Sequence, residues 1–353
     1  RQFYKCFGCG AGGDALKFVI EVEGLTFPET LKLLAERNGV PMPARNEYAD
    51  ADSRLRGALM EMHEIAAQMF RDGLRGSQGE MARAYLNKRG VTQDIIDTFG
   101  LGYSDPNGQA LTRRLSDGKF TAAQVEASGL VRKRTEGTGY YDAFRGRLMF
   151  PIHNESGKVI AFGARAMQGD EQPKYLNSPE TPIYSKSRTL YNLSRAKEQI
   201  RRTGQNGQAV LVEGYMDAIA AHQAGVVNVV ASCGTALTAQ QVKMLARYAN
   251  EVIVSYDPDT AGANATDRSL MLLLEEGLTV RIVRLPDKLD PDSFVKQRGG
   301  EAYQSAVANA QPIFRYLANR ALELHGKASP EAKLAAVNFV LPYLSKVPNT
   351  LIR

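Results

Sequence analysis

The segments AVLVEGYMDAIAAHQAG (Ala209–Gly225), VVASCGTALT (Val229–Thr238) and EVIVSYDPDT (Glu251–Thr260) decide how this chain is read. Three apolar runs, Ala209–Val212, Val226–Ala231 and Glu251–Tyr256, alternate with helix-like segments, and a fourth run follows at Thr279–Leu285. Strand, helix, strand repeated in this way predicts a parallel sheet, because parallel neighbours need long crossovers of one hand. In open α/β sheets, function collects beyond the carboxyl ends of the strands. Glu213, Asp257 and the pair Asp290 and Asp292 all fall at such ends.

Spacing sharpens the pattern. Asp257 and Asp259 are two apart, so in extended chain they point the same way, and Pro258 between them fixes its own φ. Glu213 and Asp217 are four apart and can share a face where strand turns into helix. Carboxylates gathered on one rim repel unless a cation sits among them, and hard oxygen donors suit Mg²⁺ or Mn²⁺. Each acid read singly has a local alternative: Asp217 can complement a helix dipole, Asp259 with Thr260 can cap a helix, and D-P-D can be a turn. The segment Ser232–Thr238 follows the middle strand and opens a helix, where free N–H groups can accept a phosphate. Cys233 within it reads as a small buried residue, and His153, His222 and His325 have no partner spacing and read as structural.

Working outward, 353 residues that are 44% hydrophobic support two or more domains with real cores. Lys and Arg total 44 against 38 Asp and Glu, a net charge of +6, which tilts the expectation toward an anionic partner. No apolar run approaches the roughly 20 residues that span a bilayer and no signal-peptide pattern opens the chain, so the expectation is a cytoplasmic protein without a membrane partner. Three cysteines make no disulfide framework.

Cys6 and Cys9 form a C-x-x-C knuckle whose thiolates can reach one tetrahedral Zn²⁺, but only half a site is present. Either two further ligands precede Arg1 in a longer parent protein, or the pair is redox-active or inert. Helical patterns follow, with Leu16, Phe18, Val19, Ile20 and Val22 on the first and Leu31, Leu33 and Leu34 on the second, stopping at Gly39. Residues 1–40 thus read as a zinc-binding remnant with helices, and 41–52, with two prolines and little apolar content, as a linker. Residues 53–205 start helical and turn strand-rich, with a hairpin in Arg147–Phe162 around Asn154-Glu155-Ser156-Gly157. Within it, Ile160–Gln205 is basic and interleaved with Tyr175, Tyr184 and Tyr191, which suits a groove that follows a phosphate backbone, although an ordinary solvated surface has the same composition. Residues 206–300 carry the acids, and 301–353 read as amphipathic helix punctuated by prolines.

Taken together, E-G-Y-M-D (Glu213–Asp217), G-T-A-L-T (Gly234–Thr238) and Y-D-P-D-T-A-G (Tyr256–Gly262) resemble the TOPRIM core of bacterial DnaG-type primases. CFGCGAGGDALKFV resembles part of that family's zinc ribbon, FRGRLMFPI and PKYLNSPETPIYSKSRTLY its amino-terminal polymerase subdomain, and DPDSF its acidic motif after the core. The resemblance covers nearly the whole chain. It implies an α/β (overall α+β) protein: a TOPRIM-type parallel sheet flanked by helices, a mixed amino-terminal subdomain and a helical carboxy-terminal one.

The same resemblance implies a nucleotidyltransferase, a DNA-directed RNA polymerase that makes short RNA primers on single-stranded DNA from ribonucleoside triphosphates in two-metal fashion. Carried onto this sequence, Glu213, Asp217, Asp257, Asp259, Asp290 and Asp292 are the metal-site acids, with Glu213 as proton acceptor. Arg89 in NKRG, Arg165 in FGAR, Lys174 and Asn177 in PKYLN, and Lys186 in YSKSR are the positions expected to contact DNA or nucleotide. Cofactors implied are Mg²⁺ or Mn²⁺, with Zn²⁺ at Cys6 and Cys9 in an intact parent. Implied partners are the template and a replicative helicase bound through a domain beyond Arg353, the core itself being monomeric. Pro258 departs from the family pattern, where Gly is frequent, and removes an N–H that could touch phosphate. Rival readings are a TOPRIM topoisomerase or nuclease using the same acids, and a non-catalytic TOPRIM recombination mediator. The first requires a nucleophilic-tyrosine domain, which the sequence does not reveal, and the second a much shorter chain.

Overall fold

A computed structural model describes residues 3–6, 8, 12–23, 27–40, 47–167, 172–204, 207–232, 236–256, 263–286 and 289–348. The chain divides into two compact units, Arg1–Leu55 and Arg56–Arg353.

In the first unit, strand Tyr4–Lys5 pairs antiparallel with Gly12–Gly13, and the helices Ala15–Glu23 and Phe27–Arg37 follow. The Asp14 carboxylate accepts the Lys17 N–H at 2.9 Å and so caps the first helix, while Tyr4 meets Phe18 edge to face at 5.0 Å. Cys6 is exposed, and Cys9 lies outside the described residues. The segment 41–52, read as a linker, is helical from Glu47 onward as the start of the 29-residue helix Glu47–Arg75. Residues 41–46 lie outside the described residues.

The second unit holds two larger sheets. Four antiparallel strands lie in the order Gly102–Tyr103, Arg147–His153, Val159–Ala166, Tyr175–Asn177. The expected hairpin is there: Asn154 Oδ1 accepts the N–H groups of Ser156 and Lys158 and closes the turn, with Gly157 at φ 84°. The other sheet has five strands in the order Val229–Ala231, Gln208–Val212, Glu251–Val254, Thr279–Ile282, Gln311–Pro312. The first four are parallel, and the short fifth, in a segment expected to be helical, joins antiparallel at the edge.

The parallel strands read as unbroken apolar runs because both faces are covered. Val210, Val212, Val229, Ala231 and Ile253 enter one core, while Ala209, Leu211, Val230, Val252 and Val254 enter the other. Gln208–Val212 lies between two strands, and its Ala209–Val212 are fully buried. The second run starts at Val229 rather than Val226 because Gly225 (φ 86°) ends the preceding helix and Val226 N–H returns to the Ala221 carbonyl. Among the described residues no helix is long and apolar enough to cross a membrane.

Candidate active site

Gln208–Val212 delivers Glu213 to the rim, and after a bend at Gly214 the helix Tyr215–Gln223 begins. Asp217, in its first turn, accepts the Gly214 N–H on Oδ2 at 3.1 Å. Its other oxygen accepts the Asp292 N–H at 3.4 Å, from the first turn of the helix Pro291–Arg298. One carboxylate therefore serves donors that the opening turns of two helices leave unsatisfied, where the helix dipoles also favour negative charge. Asp290 caps the second helix, accepting the Ser293 N–H at 2.6 Å. The local roles open to these acids, cap and dipole partner, are thus filled by the residues that also define the rim.

Asp292 is 3% exposed and ion-paired with Arg89, which lies 203 residues earlier at the end of the helix Glu80–Arg89. Burial raises the Asp292 carboxyl above its ordinary value, with the Arg89 charge opposing that rise. Burial works against the Arg89 charge too, but Asp292 overrides it and the guanidinium holds its proton more tightly than usual. Tyr85, one turn before Arg89, carries the Arg165 guanidinium 4.0 Å from its ring centroid and that of Arg89 at 5.3 Å. Although the Tyr175 residue is 38% exposed, desolvation pushes its hydroxyl up to about 12, with Tyr85 and Asp217 adding to the rise and Arg165 opposing it. Tyr85, Lys88, Arg89, Arg165, Ser293 and Lys296 line a pocket of about 540 Å³.

Tyr215 fixes the elbow that carries Asp217. Its ring stacks on Phe150 at 4.9 Å, meets Tyr191 edge-on at 4.9 Å, and lies against Gly163 of the antiparallel sheet. Its hydroxyl donates to Asn177 Oδ1. Asn177 is therefore a brace between strand and elbow. The next strand end is aimed in the same way: Ser255 N–H bonds the Leu211 carbonyl at 2.9 Å, and the buried Tyr303 hydroxyl donates to Ser255 Oγ at 3.1 Å. Burial raises the Tyr256 hydroxyl well above its ordinary value, and the Glu213 carboxylate adds to the rise.

Asp257 and Asp259, expected to complete the acids, lie outside the described residues, as do Cys233, Gly234 and Thr235 of the small-residue loop. Among the described residues no group of three or more His, Cys, Asp or Glu is placed to hold a metal ion. The donors that are described, Glu213, Asp217, Asp290 and Asp292, are the hard oxygen type that Mg²⁺ and Mn²⁺ take, so the donor chemistry fits. Lys174 is exposed, and its carbonyl accepts the Ala166 N–H at 2.9 Å beside the Arg165 strand. Lys186 occupies a different neighbourhood. Its turn is clasped to the helix Ala239–Ala246, with Thr238 Oγ1 donating to the Ser187 carbonyl at 2.6 Å and Gln241 Nε2 to that of Lys186 at 3.1 Å. Tyr85, Lys88 and Lys296 were not anticipated. The Y-x-x-K-R spacing in one helix was the available signal for the first two, but nothing in sequence ties it to Lys296.

The family described as DNA primase catalytic core, N-terminal domain, matches residues 69–197. A Toprim-like family matches 210–295, and the CHC2 zinc finger of DnaG proteins matches 1–50. DNA primase of Halalkalibacterium halodurans is 42% identical over 308 residues, 87% of this chain and 51% of that protein. DNA primase of Enterococcus faecalis is 38% identical over 366 residues, all of this chain and 58% of that protein. The chain thus spans between about half and three-fifths of these relatives' length. Among solved structures, the zinc-binding and RNA polymerase domains of Aquifex aeolicus primase align over 99% of this chain and 82% of that one, at 32% identity and TM-score 0.73. A DNA primase domain from Pseudomonas aeruginosa aligns over 84% and 92%, at 34% and 0.75. A DnaG primase catalytic domain bound to single-stranded DNA aligns over 85% and 93%, at 32% and 0.74. With three consecutive family matches and solved primase domains covered almost end to end, the chain belongs to the bacterial DnaG-type DNA primase family.

Proposed function

We propose that this chain is a DNA-directed RNA polymerase that synthesises short RNA primers on a single-stranded DNA template in the bacterial cytoplasm. The observation that carries the reading is the junction of the acidic rim with a basic pocket through the Arg89–Asp292 pair and the Arg165–Tyr85 stack. The reaction joins the 3′-hydroxyl oxygen of a primer to the α-phosphorus of a ribonucleoside triphosphate, breaks the bond to the bridging oxygen of the β-phosphate, and releases pyrophosphate. It therefore needs anion binding and a proton acceptor on adjacent surfaces.

Lys88, Arg89, Arg165 and Lys296 supply the cationic wall for phosphates, and Lys174 extends it at the surface. Glu213 accepts the proton of the attacking hydroxyl. Asp217 holds the two helix starts together, which keeps the rim in register with that wall. Glu213, Asp257, Asp259, Asp290 and Asp292 would hold Mg²⁺ or Mn²⁺, which neutralise triphosphate charge and make the hydroxyl more acidic when bound. Cys6 and Cys9 would hold Zn²⁺ together with ligands from elsewhere in a complete ribbon. A replicative helicase is the expected partner of the longer relatives' remaining length.

The test is incorporation of labelled ribonucleotides on a single-stranded template with Mg²⁺ or Mn²⁺. The reading predicts short RNA products, lost on Glu213→Gln and on Asp257→Asn. No incorporation with either metal, or unchanged incorporation by both variants, would sink it. The lead over a topoisomerase or a mediator rests on the match of 69–197 to a primase-specific domain.

A further inference from the structure

The rim acids rest on separate elements, and one buried side chain outside the rim joins those elements: Tyr303, in the helix Gly300–Ala308. Its hydroxyl donates to Ser255 Oγ at 3.1 Å, and Ser255 is itself buried, two residues before Asp257. The Ser255 N–H in turn bonds the Leu211 carbonyl at 2.9 Å, two residues before Glu213. The Tyr303 ring also meets that of Phe294 at 6.3 Å between centroids, and Phe294 belongs to the helix Pro291–Arg298 that carries Asp292. The helix of Tyr303 is pinned to the end of the Asp217 helix: Gln304 Nε2 donates to the Ala224 carbonyl at 2.6 Å, and Gly300 packs so closely that a Cβ there would lie 3.1 Å from Ala224 Cα.

Stability alone does not call for this chemistry. Tyr303 and Phe294 belong to an apolar core with Val283, Val307 and Ala310. There, Phe and Ala in place of Tyr303 and Ser255 would leave no polar atom to satisfy, at nearly equal stability. What the hydroxyl pair adds is direction: a satisfied buried hydrogen bond specifies one arrangement, where apolar packing allows a chain to slide. Burial raises the Tyr303 hydroxyl well above its ordinary value, with the Ser255 bond opposing the rise and the Asp217 charge adding to it. The group is therefore a donor throughout the neutral range.

We infer that Tyr303 is a positioning residue for the metal-site acids: through Ser255 it sets the strand end leading to Asp257 against the one leading to Glu213, and so tunes how tightly the rim takes a divalent cation. The inference rests on the reading of the rim as the Mg²⁺ or Mn²⁺ site of a polymerase. Tyr303 acts through Ser255 and takes no part in bond formation.

The test is Mn²⁺ titration of the full chain without nucleotide, read from the free-ion signal in electron paramagnetic resonance, beside urea unfolding. The native chain should bind Mn²⁺, and E213Q should remove that binding; a native chain that binds none overturns the inference. Y303F and S255A should each bind Mn²⁺ about 3- to 10-fold more weakly, as expected for a lost bond one step behind the ligands. Y303F/S255A strands no polar atom, so it should unfold near the native urea midpoint yet keep the weakened Mn²⁺ affinity. Y248F removes a hydroxyl bond to Glu155 just before the start of the same strand, Glu251–Val254, and should lower stability without changing Mn²⁺ affinity. In ribonucleotide incorporation, the Mn²⁺ concentration for half-maximal rate should rise in Y303F by the same factor, with KM for ribonucleotide unchanged. Native Mn²⁺ affinity in Y303F/S255A overturns the inference, as does an equal loss in Y248F. If the native chain incorporates ribonucleotide while Y303F keeps full Mn²⁺ affinity, the inference falls and the polymerase reading stands. If the native chain binds Mn²⁺ through Glu213 and incorporates nothing, while Y303F/S255A still binds more weakly, the polymerase reading falls and the positioning role stands.

Discussion

The Tyr215 hydroxyl donates a hydrogen bond to Asn177 Oδ1 at 2.7 Å, joining the first residue of the Asp217 helix to the edge strand of the antiparallel sheet. This bond links the acidic and basic halves of the unit at the elbow itself. Tyr215→Phe keeps the ring contacts with Phe150 and Tyr191 and removes only the hydroxyl. Expected are a loss of about 1 kcal/mol in urea unfolding and a several-fold drop in kcat with little change in KM for ribonucleotide. A variant with full stability and full kcat would show that the elbow needs no such brace.

Gly163 tests the same contact from the other side. A Cβ at this position would lie 2.3 Å from Tyr215 Cζ, inside any tolerated contact. Gly163→Ala must displace the ring or the strand, and overpacking of this kind costs about 1–3 kcal/mol. Thermal melts should show a clear fall in Tm, and pairing with Tyr215→Leu should recover part of it. A G163A protein as stable as the parent would contradict the close packing.

Arg89 and Asp292 form a pair with 30% and 3% of their side chains exposed. Arg89→Ala leaves a buried carboxylate without its guanidinium, which for a partly exposed partner is expected to cost about 2 kcal/mol. Asp292→Asn in the same chain removes the stranded charge, so R89A/D292N should unfold at higher urea than R89A. Both should be inactive in ribonucleotide incorporation. If the double variant is less stable than R89A, the pair is not the electrostatic unit described.

His63 gives the chain a predictable response to acid. It is fully buried and its ring stacks on Phe162 at 5.9 Å. Nδ1 lies 2.7 Å from the Leu59 carbonyl, which can only accept, so Nδ1 carries the proton of a neutral ring. Burial lowers its pKa to about 4, against the ordinary 6.5. The unfolded chain thus binds a proton that the folded chain refuses. Stability from this group is complete above pH 6.5 and falls as pH drops toward 4, by at most on the order of 3 kcal/mol. His63→Phe should flatten urea midpoints between pH 7 and pH 5. His153, also lowered to about 4 by burial and by Arg195 and Arg71, should retain part of the slope. An unchanged slope in H63F would mean that the ring titrates normally.

The parallel sheet was legible because its signal is local: apolar runs end in acids, and the runs are apolar throughout because each face meets a core. The placement of Glu213 after a strand, and of Asp217, Asp290 and Asp292 at the helix starts that follow, was legible for the same reason. Of the counter-charges, Arg89 and Arg165 were visible only as motifs, and Lys296 was not visible at all. Arg89, Arg165 and Lys296 come from three distant segments, and what unites them is the Tyr85 ring and the Asp292 carboxylate, a tertiary relationship that no spacing encodes. The helix start at Glu47, inside the segment read as a linker, was not legible because polar residues without an apolar stripe look alike in a helix and in loose chain. The edge strand Gln311–Pro312 misled because two residues carry no period.

The position of Gln208–Val212 between two neighbouring strands has a kinetic consequence. Its amides are paired and its Ala209–Val212 side chains are fully buried, so hydrogen exchange there should require opening of the whole unit, whereas the exposed tip at residues 134–139 should exchange within local fluctuations. Glu213 therefore follows directly on a segment expected to open only with the whole unit. An ion or nucleotide arriving at the rim thus meets the first acid on a strand that is expected to hold its position.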